Sequence, residues 1–204
     1  MPYLLRVALP DVPGSLGRVA TAIGEAGGDI EAIEIVEKRH DGTAVDDVLL
    51  EMAPGAMPDS VVSACTGLDG VEVVWISRYA AGGNLFLDLE VVEELTTNPG
   101  EALDRLVGML PVTFRVDWAA RLRRAEGGGE VVTATGAAPR EIAWAEIGHA
   151  GRLATLDDIT LCCGAPLDSD GLIVLGRDGG PEFLDSEIAR LGHLVALAAS
   201  IARS

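Results

Sequence analysis

The chain has 204 residues, which is long enough for one or two domains of ordinary size, and 49% of them are hydrophobic although only 4% are aromatic. Fifteen basic and 32 acidic residues leave a formal net charge of −17. Because this charge repels phosphate backbones and anionic lipid surfaces, we expect no nucleic-acid partner and no membrane partner.

The cysteine pattern predicts neither a disulfide framework nor a metal site. Cys65 is isolated, and Cys162 and Cys163 are adjacent without CxxC spacing or a nearby histidine pair. We expect free thiols in a reducing cytoplasm, no metal and no cofactor. The apolar stretch 3–10 is too short and too soon interrupted for a signal peptide, and the stretch 191–201 falls short of the roughly 20 residues of a membrane span. The sequence therefore predicts a cytoplasmic protein.

The first 80 residues predict the order strand, helix, strand, strand, helix, strand. Leu16, Val19 and Ile23 follow helical spacing, and His40 to Gly42 forms a hairpin-turn signal. The predicted strands are residues 3–9, 29–38, 43–52 and 71–79, and the predicted helices begin at the caps Ser15 and Ser60. This βαββαβ order favours a ferredoxin-like sandwich, in which a four-stranded antiparallel sheet carries two helices on one face.

The second half of the chain predicts a further α+β domain, in which helices flank a sheet. Small residues at 81–84 predict a hinge, so the proposed domains are residues 1–80 and 85–204. The predicted helices are residues 85–95, 101–110 (ended by Pro111) and one capped by Asp185; the predicted strands are 114–122, 130–135, 159–163 and 171–176, with a turn at 127–129. Residues 136–158 show no readable pattern.

The segment 9–30 carries the candidate binding site. A strand there breaks just before a helix, so backbone amides are expected to be free to bind an anion such as a carboxylate, and Gly14 lets a ligand approach the backbone closely. These amides belong to Val12, Gly14 and Ser15. Asp11 and Asp29 could accept hydrogen bonds from an ammonium group. Amide donors facing carboxylates suit an amino acid, although an ordinary strand-to-helix turn explains the same residues without a ligand.

Residues 3–79 resemble an ACT domain, the regulatory amino-acid-binding module of many metabolic enzymes. The resemblance rests on the run DVPGSL at 11–16, on the helix that follows and on GDI at 28–30. It implies a homodimer that extends one sheet across two chains and binds the effector between the first loop of one chain and the second strand of the other. The loop side would be Asp11, Val12, Pro13, Gly14, Ser15 and Leu16, and the strand side Gly28, Asp29 and Ile30. Asp29 stands where amino-acid-binding members commonly have Asn, which leaves the effector's identity open.

Residues 85–204 resemble a GAF domain, a small-molecule-sensing relative of PAS folds, so the fold class is α+β with a ferredoxin-like unit and a GAF/PAS-like unit. The resemblance rests on the segments 89–110, 116–124, 162–167 and 171–202. The segment 126–158 is short where ligand-holding GAF domains place extra helices and loops. Trp118, Trp144 and Cys162 would line a pocket in this unit, and each of them is otherwise a core residue.

No catalytic motif is present: the sequence has no P-loop, no GxGxxG after a strand, no HExxH and no GxSxG. We therefore predict a non-catalytic regulatory or sensor protein that binds an amino acid or a similar small metabolite through its ACT domain and signals to a protein partner. One alternative is a structural platform that pairs chains without a ligand. Another is a cysteine-dependent GAF-fold reductase that uses Cys162 and Cys163.

Overall fold

A computed structural model describes residues 2–78, 84–126, 128–154, 157 and 159–203, with the backbone alone at residues 84–86. The chain divides into two compact units, Met1–Ala81 and Gly82–Ser204. Each unit combines helices with an antiparallel sheet, so the predicted α+β class is confirmed. The predicted hinge lies outside the described residues except for Asn84, which begins a helix.

The first unit has the predicted βαββαβ order. Its elements are β1 (Pro2–Pro10), α1 (Ser15–Glu25), β2 (Gly28–Lys38), β3 (Thr43–Met52), α2 (Pro58–Thr66) and β4 (Glu72–Arg78). The sheet order is β2-β3-β1-β4 and every neighbouring pair is antiparallel. This is the ferredoxin-like arrangement that the sequence predicted, with β2 and β4 at the two edges of the sheet.

The core of the first unit lies between the sheet and its two helices. Alternate strand residues point to one face, because successive side chains of a strand alternate. The strands contribute Leu5, Val7, Leu9, Val48 and Leu50, and the helices contribute Val19, Ile23, Val61 and Cys65. This packing fixes the direction in which every residue of β3 points, including the two adjacent aspartates in its middle.

The predicted caps of α1 and α2 are wrong. Gly14 occupies the cap position of α1 with φ +93°, and Ser15 is the first helical residue, whose side chain makes no capping bond. The helix α2 begins at Pro58, two residues before Ser60, because the fixed φ of proline and its missing N–H suit the first turn of a helix. Backbone conformation, rather than the presence of a serine, determines where both helices begin.

Within the residues that the structure describes, the second unit has three α-helices and a five-stranded sheet. Its elements are α3 (Asn84–Thr97), a 3-10 turn (Pro99–Glu101), α4 (Ala102–Phe114), β5 (Trp118–Ala125), β6 (Gly128–Ala134), β7 (Gly151–Leu153), β8 (Thr160–Pro166), β9 (Gly171–Asp178) and α5 (Asp185–Ile201). The sheet order is β6-β5-β9-β8-β7. The helices cover one face through residues such as Leu106, Leu110 and Leu191, whereas Trp118, Leu122 and Ile142 form a separate core on the other face.

Pro111 does not end α4, contrary to the prediction. The helix continues to Phe114, which is 2% exposed, and ends at Arg115 with φ +51°. A proline inside a helix costs about 3 kcal/mol because it removes one backbone bond and crowds the preceding turn. Burial of the Phe114 ring offsets about 1.5–3 kcal/mol of that cost. The predicted strand at 114–122 accordingly begins only at Trp118.

Three further differences concern the ends of elements in the second unit. Asp185 is the first residue of α5 and not its cap; the N–H of Leu184 instead donates to the carboxylate of Glu187. Of the predicted turn at 127–129, Gly127 lies outside the described residues and the other two glycines belong to β6. The segment 136–158, which showed no readable pattern, contains the short strand β7.

Among the described residues, no helix has both the length and the apolarity that crossing a membrane demands.

Candidate ligand site at the first loop

The loop between β1 and α1, residues 11–14, is held by its own backbone hydrogen bonds. The N–H of Asp11 donates to the Gly42 carbonyl at 2.8 Å and fastens the loop to the turn between β2 and β3. The N–H of Val12 donates to the Pro10 carbonyl, and that of Ser15 donates to the Val12 carbonyl. Two of the three amides that were predicted to be free are therefore occupied within the loop.

The donors that remain belong to the start of α1. Its first helical bond runs from the Arg18 N–H to the Gly14 carbonyl, so the N–H groups of Leu16 and Gly17 precede it, and no side chain caps them. A methyl group built on Gly14 would meet nothing within 4 Å, so the surface above it is open. The loop can thus receive an anion at a helix N-terminus. The donors are the N–H groups of Leu16 and Gly17, which lie further along the chain than the predicted amides of Val12 and Ser15.

Asp11 already holds a cation from its own chain. Its carboxylate accepts hydrogen bonds from the Lys38 ammonium at 2.9 and 3.2 Å, and both side chains are substantially exposed. An exposed pair of this kind is worth about 0.2–1 kcal/mol. A ligand ammonium that approached Asp11 would therefore compete with Lys38, at a small energetic cost.

The two predicted halves of the site do not meet within one chain. Asp29 is exposed at the start of β2, nine residues before Lys38, the residue that contacts Asp11. At 3.3 Å per strand residue this separation is about 30 Å. Gly28 is buried, and a methyl group there would lie 2.6 Å from Ile23, so this glycine serves helix packing. Ile30 packs partly against the core.

Two buried polar side chains beside the loop were not predicted as a group. Ser15 and Asp46 are each 2% exposed, and the Ser15 Oγ and Asp46 Oδ1 atoms are sealed from solvent without a hydrogen bond. Burial raises the pKa of the Asp46 carboxyl, the Asp11 and Asp47 carboxylates raise it further, and Lys38 opposes the shift. The sequence signal was the Asp-Asp pair inside β3, since adjacent strand residues point to opposite faces.

The neighbouring Asp47 is a buried carboxylate with a cationic hydrogen-bond partner. It points to the opposite face from Asp46 and accepts two hydrogen bonds from the Arg6 guanidinium, at 2.6 and 2.9 Å. Both members of this pair are less than 5% exposed. Among the described residues Asp46, by contrast, forms no ion pair, because the nearby Lys38 ammonium donates to Asp11 instead.

Asp46 is expected to destabilise the folded protein at neutral pH. Because its pKa is raised, the folded state binds this proton more tightly than the unfolded chain, so the free energy of unfolding falls as pH rises above the ordinary carboxyl pKa. Asp46→Asn should therefore raise the free energy of unfolding at pH 7, and the gain should shrink toward pH 3. Urea unfolding at both pH values measures it.

Asp41→Asn is the matched control with the opposite sign. The Thr43 N–H donates to the Asp41 carboxylate and lowers the pKa of that carboxyl, so ionised Asp41 contributes stability that is lost as pH falls. This variant should be less stable than the wild type at pH 7. Loss of stability in Asp46→Asn at pH 7 would contradict the prediction.

Of the three residues expected to line a pocket in the second unit, Trp144 borders a cleft, whereas the other two are core residues. Trp118 and Cys162 are at most 4% exposed and belong to the core. Trp144 borders a cleft of about 500 Å³, and the Arg124 guanidinium lies 5.1 Å from its ring centroid. The same arginine donates to Glu146 at 2.5 Å.

The three cysteines are buried. Cys65, Cys162 and Cys163 form no disulfide, and burial raises the pKa of the Cys163 thiol far above its usual range. Because the thiolate is the reactive form, this burial does not favour cysteine chemistry. Across the described part of the chain, no three His, Cys, Asp or Glu side chains are grouped so that they could hold a metal ion.

Comparison with known proteins identifies the first unit. Residues 3–56 match the family model of the ACT domain, so the chain carries an ACT domain there, as predicted. ACT domains are ligand-binding regulatory modules. No curated protein matches the chain.

Solved structures with a similar fold include two GAF domains. That of an Acinetobacter phosphoenolpyruvate-protein phosphotransferase is 13% identical, has a TM-score of 0.47, and the match covers 61% of this chain and 95% of that one. The GAF domain of the corresponding Coxiella burnetii protein is 17% identical, with a TM-score of 0.43 and coverage of 59% and 96%. The free methionine-R-sulfoxide reductase of Neisseria meningitidis is 11% identical, with a TM-score of 0.48 and coverage of 62% and 94%.

Proposed function

We propose that this chain is a non-catalytic cytoplasmic regulatory protein that binds a free amino acid through its ACT domain, acts as a homodimer and signals to a protein partner. The observation that carries the proposal is the first loop. There α1 begins without a side-chain cap, the space above Gly14 is open, and the Asp11 carboxylate is near enough to Asp46 to raise its pKa.

The start of α1 suits the carboxylate of an amino acid. The N–H groups of Leu16 and Gly17 precede the first helical hydrogen bond, and the helix dipole places partial positive charge there. Nearby carboxylates suit the ammonium group. One site with both kinds of group favours a zwitterion over a simple anion or cation.

A second copy of the chain would complete the site. The strand β2 is an edge strand of 11 residues, Ile35 on it is 50% exposed, and an edge strand offers unpaired N–H and C=O groups to another strand. Antiparallel pairing of two β2 edges would bring the start of one strand, with Asp29, toward the end of the other, with Lys38. Asp29 of one chain would then lie near the first loop of the other chain, although the two are far apart within one chain.

Amino-acid binding is tested by thermal unfolding of the full chain with each of the twenty amino acids. A ligand at 100 times its Kd stabilises the folded state by about 2.7 kcal/mol. Gly14→Val should abolish the shift, because a β-branched residue does not adopt the φ of +93° that the loop requires. The side chain itself would meet open space, so the loss arises from the backbone.

Gly24→Ala, within α1 and also without neighbours, is the control that should keep the shift. The absence of a shift with any amino acid at millimolar concentration would contradict the sensing function. If sedimentation then showed a dimer, the exposed β2 edge would support the alternative, a platform that pairs chains without a ligand.

A further inference from the structure

Two buried side chains of the ACT unit point into the space between α1 and the sheet. Ser15 belongs to the buried stripe of α1 that continues with Val19 and Ala22. Asp46 lies on the face of β3 that also carries Val48, which packs in the same core as Val19. Helical spacing and strand alternation therefore place both polar groups on the side of the sheet that the helices cover, and Ser15 directly follows the loop.

Asp46 is also close to the loop along the sheet. Thr43, three residues before it, pairs with Pro10, the last residue before the loop, and Asp46 itself pairs with Val7. On its other side Asp46 pairs with Ile35 of the β2 edge. Asp46 thus lies between β1, the strand that leads into the loop, and β2, the edge at which a second chain would pair.

Neither group has a partner that accounts for its burial. The Ser15 Oγ and Asp46 Oδ1 atoms are both sealed from solvent and make no hydrogen bond, although a buried polar atom ordinarily finds one. An unpaired buried carboxylate is more costly than an unpaired hydroxyl, since it carries a charge. Natural sequences retain such costs mainly at functional sites.

We infer that Asp46 and Ser15 form the inner polar wall of the amino-acid site, with the Asp46 carboxylate accepting hydrogen bonds from the ligand's ammonium group and the Ser15 hydroxyl beside it. The inference rests on the proposed function and specifies its ligand class. Compounds with a protonated amine next to a carboxylate should bind, whereas 2-oxo acids with the same carbon skeleton and N-acetylated amino acids should not.

Asp46 is a better ammonium acceptor than either aspartate predicted from the sequence. Asp11 is engaged by Lys38, and Asp29 is exposed at the far end of β2. Removal from water strengthens the attraction between a carboxylate and an ammonium group, and a group left unpaired in the free protein gains the whole hydrogen bond on binding. The ligand would remove the cost that Asp46 imposes on the free protein.

The test is calorimetry on the full chain with the amino acid that gives the largest thermal shift, together with its 2-oxo acid and N-acetyl derivatives. Asp46→Asn should weaken amino-acid binding at least tenfold while the protein remains folded. Ser15→Ala should weaken it several-fold, and the exposed Asp69→Asn should leave it unchanged. The 2-oxo acid should give no measurable heat with the wild type.

The outcomes separate the two proposals. Unchanged affinity in Asp46→Asn and Ser15→Ala, or equally tight binding of the 2-oxo acid, would overturn this inference and leave amino-acid sensing intact. The absence of any binding to the wild type would overturn the sensing function, and the inference with it. Ser15→Ala provides a second reading, because a methyl group in place of an unpaired hydroxyl preserves the fold.

Discussion

Replacing Gly176 with alanine should strongly destabilise the second unit of the chain. Gly176 of β9 pairs with Trp118 of β5, and a methyl group on it would fall inside the indole ring, well under the 3.0 Å that real Cβ contacts respect. Trp118 is 2% exposed within a closed core, so the ring cannot yield without opening a cavity. Overpacking costs about 1–3 kcal/mol, and displacement of a buried tryptophan about 3–5 kcal/mol.

We therefore expect Gly176→Ala to lose at least about 3 kcal/mol, measured by urea unfolding with Trp fluorescence and circular dichroism. Gly108→Ala is the matched control. Gly108 is exposed in the middle of α4 with no neighbour within 4 Å, and alanine there should stabilise the helix by up to about 1 kcal/mol. An unchanged unfolding midpoint for Gly176→Ala would show that the indole does not occupy this position.

The architecture of the ACT unit could be predicted because its signals are local. Helical spacing from Leu16 to Ile23 and the turn signal from His40 to Gly42 each act within a few residues, and all six elements were predicted in the correct order. The first residues of the helices were harder to predict from the sequence. They depend on the left-handed backbone at Gly14 and on Pro58, where two different conformational effects override the usual preference for a serine cap.

The second unit was harder to predict because tertiary contacts override its local signals. Pro111 is a strong helix terminator, yet burial of Phe114 extends α4 beyond it. The segment that contains β7 has no apolar periodicity that would predict a strand. This three-residue strand forms by pairing with β8. Neither effect can be deduced from neighbouring residues alone.

The loop side of the candidate site was predictable from the sequence, but its chemistry was not. The segment from Asp11 to Leu16 connects β1 to α1 as expected, whereas the bonds that occupy the Val12 and Ser15 amides depend on the exact fold of the turn. Asp46 lies 35 residues beyond Asp11 in the chain, and its position beside the loop follows from the pairing of β3 with β1. A search for local motifs does not find residues that are distant in sequence and are brought together by strand pairing.

Replacing Arg177 with methionine should be about as damaging as the Gly176 change, for an electrostatic reason. Arg177 is 4% exposed, and its guanidinium donates to the Phe114 and Pro181 carbonyls at 2.9 and 3.1 Å. It also donates to the Glu187 carboxylate at 2.9 Å and lies 4.2 Å from the Phe183 ring centroid. One side chain thus joins β9 to the end of α4 and the beginning of α5.

Removal of one member of a buried ion pair typically costs about 3–5 kcal/mol, since the other charge remains buried without its partner. We expect a loss of this size in urea unfolding of Arg177→Met. Arg123→Met, at a pair in which both side chains are about 60% exposed, should change stability by less than about 0.5 kcal/mol. Both changes remove one positive charge, so the difference between them isolates the effect of burial.

A double-mutant cycle with Glu187→Gln distinguishes the ion pair from the carbonyl contacts. The Glu187 carboxylate also accepts the Leu184 N–H, so its removal weakens the start of α5 independently of Arg177. If the ion pair dominates, the two changes together should cost clearly less than the sum of their separate costs. Additive costs would mean that the donors to the Phe114 and Pro181 carbonyls, rather than the charge on Glu187, are what Arg177 contributes to this corner of the fold.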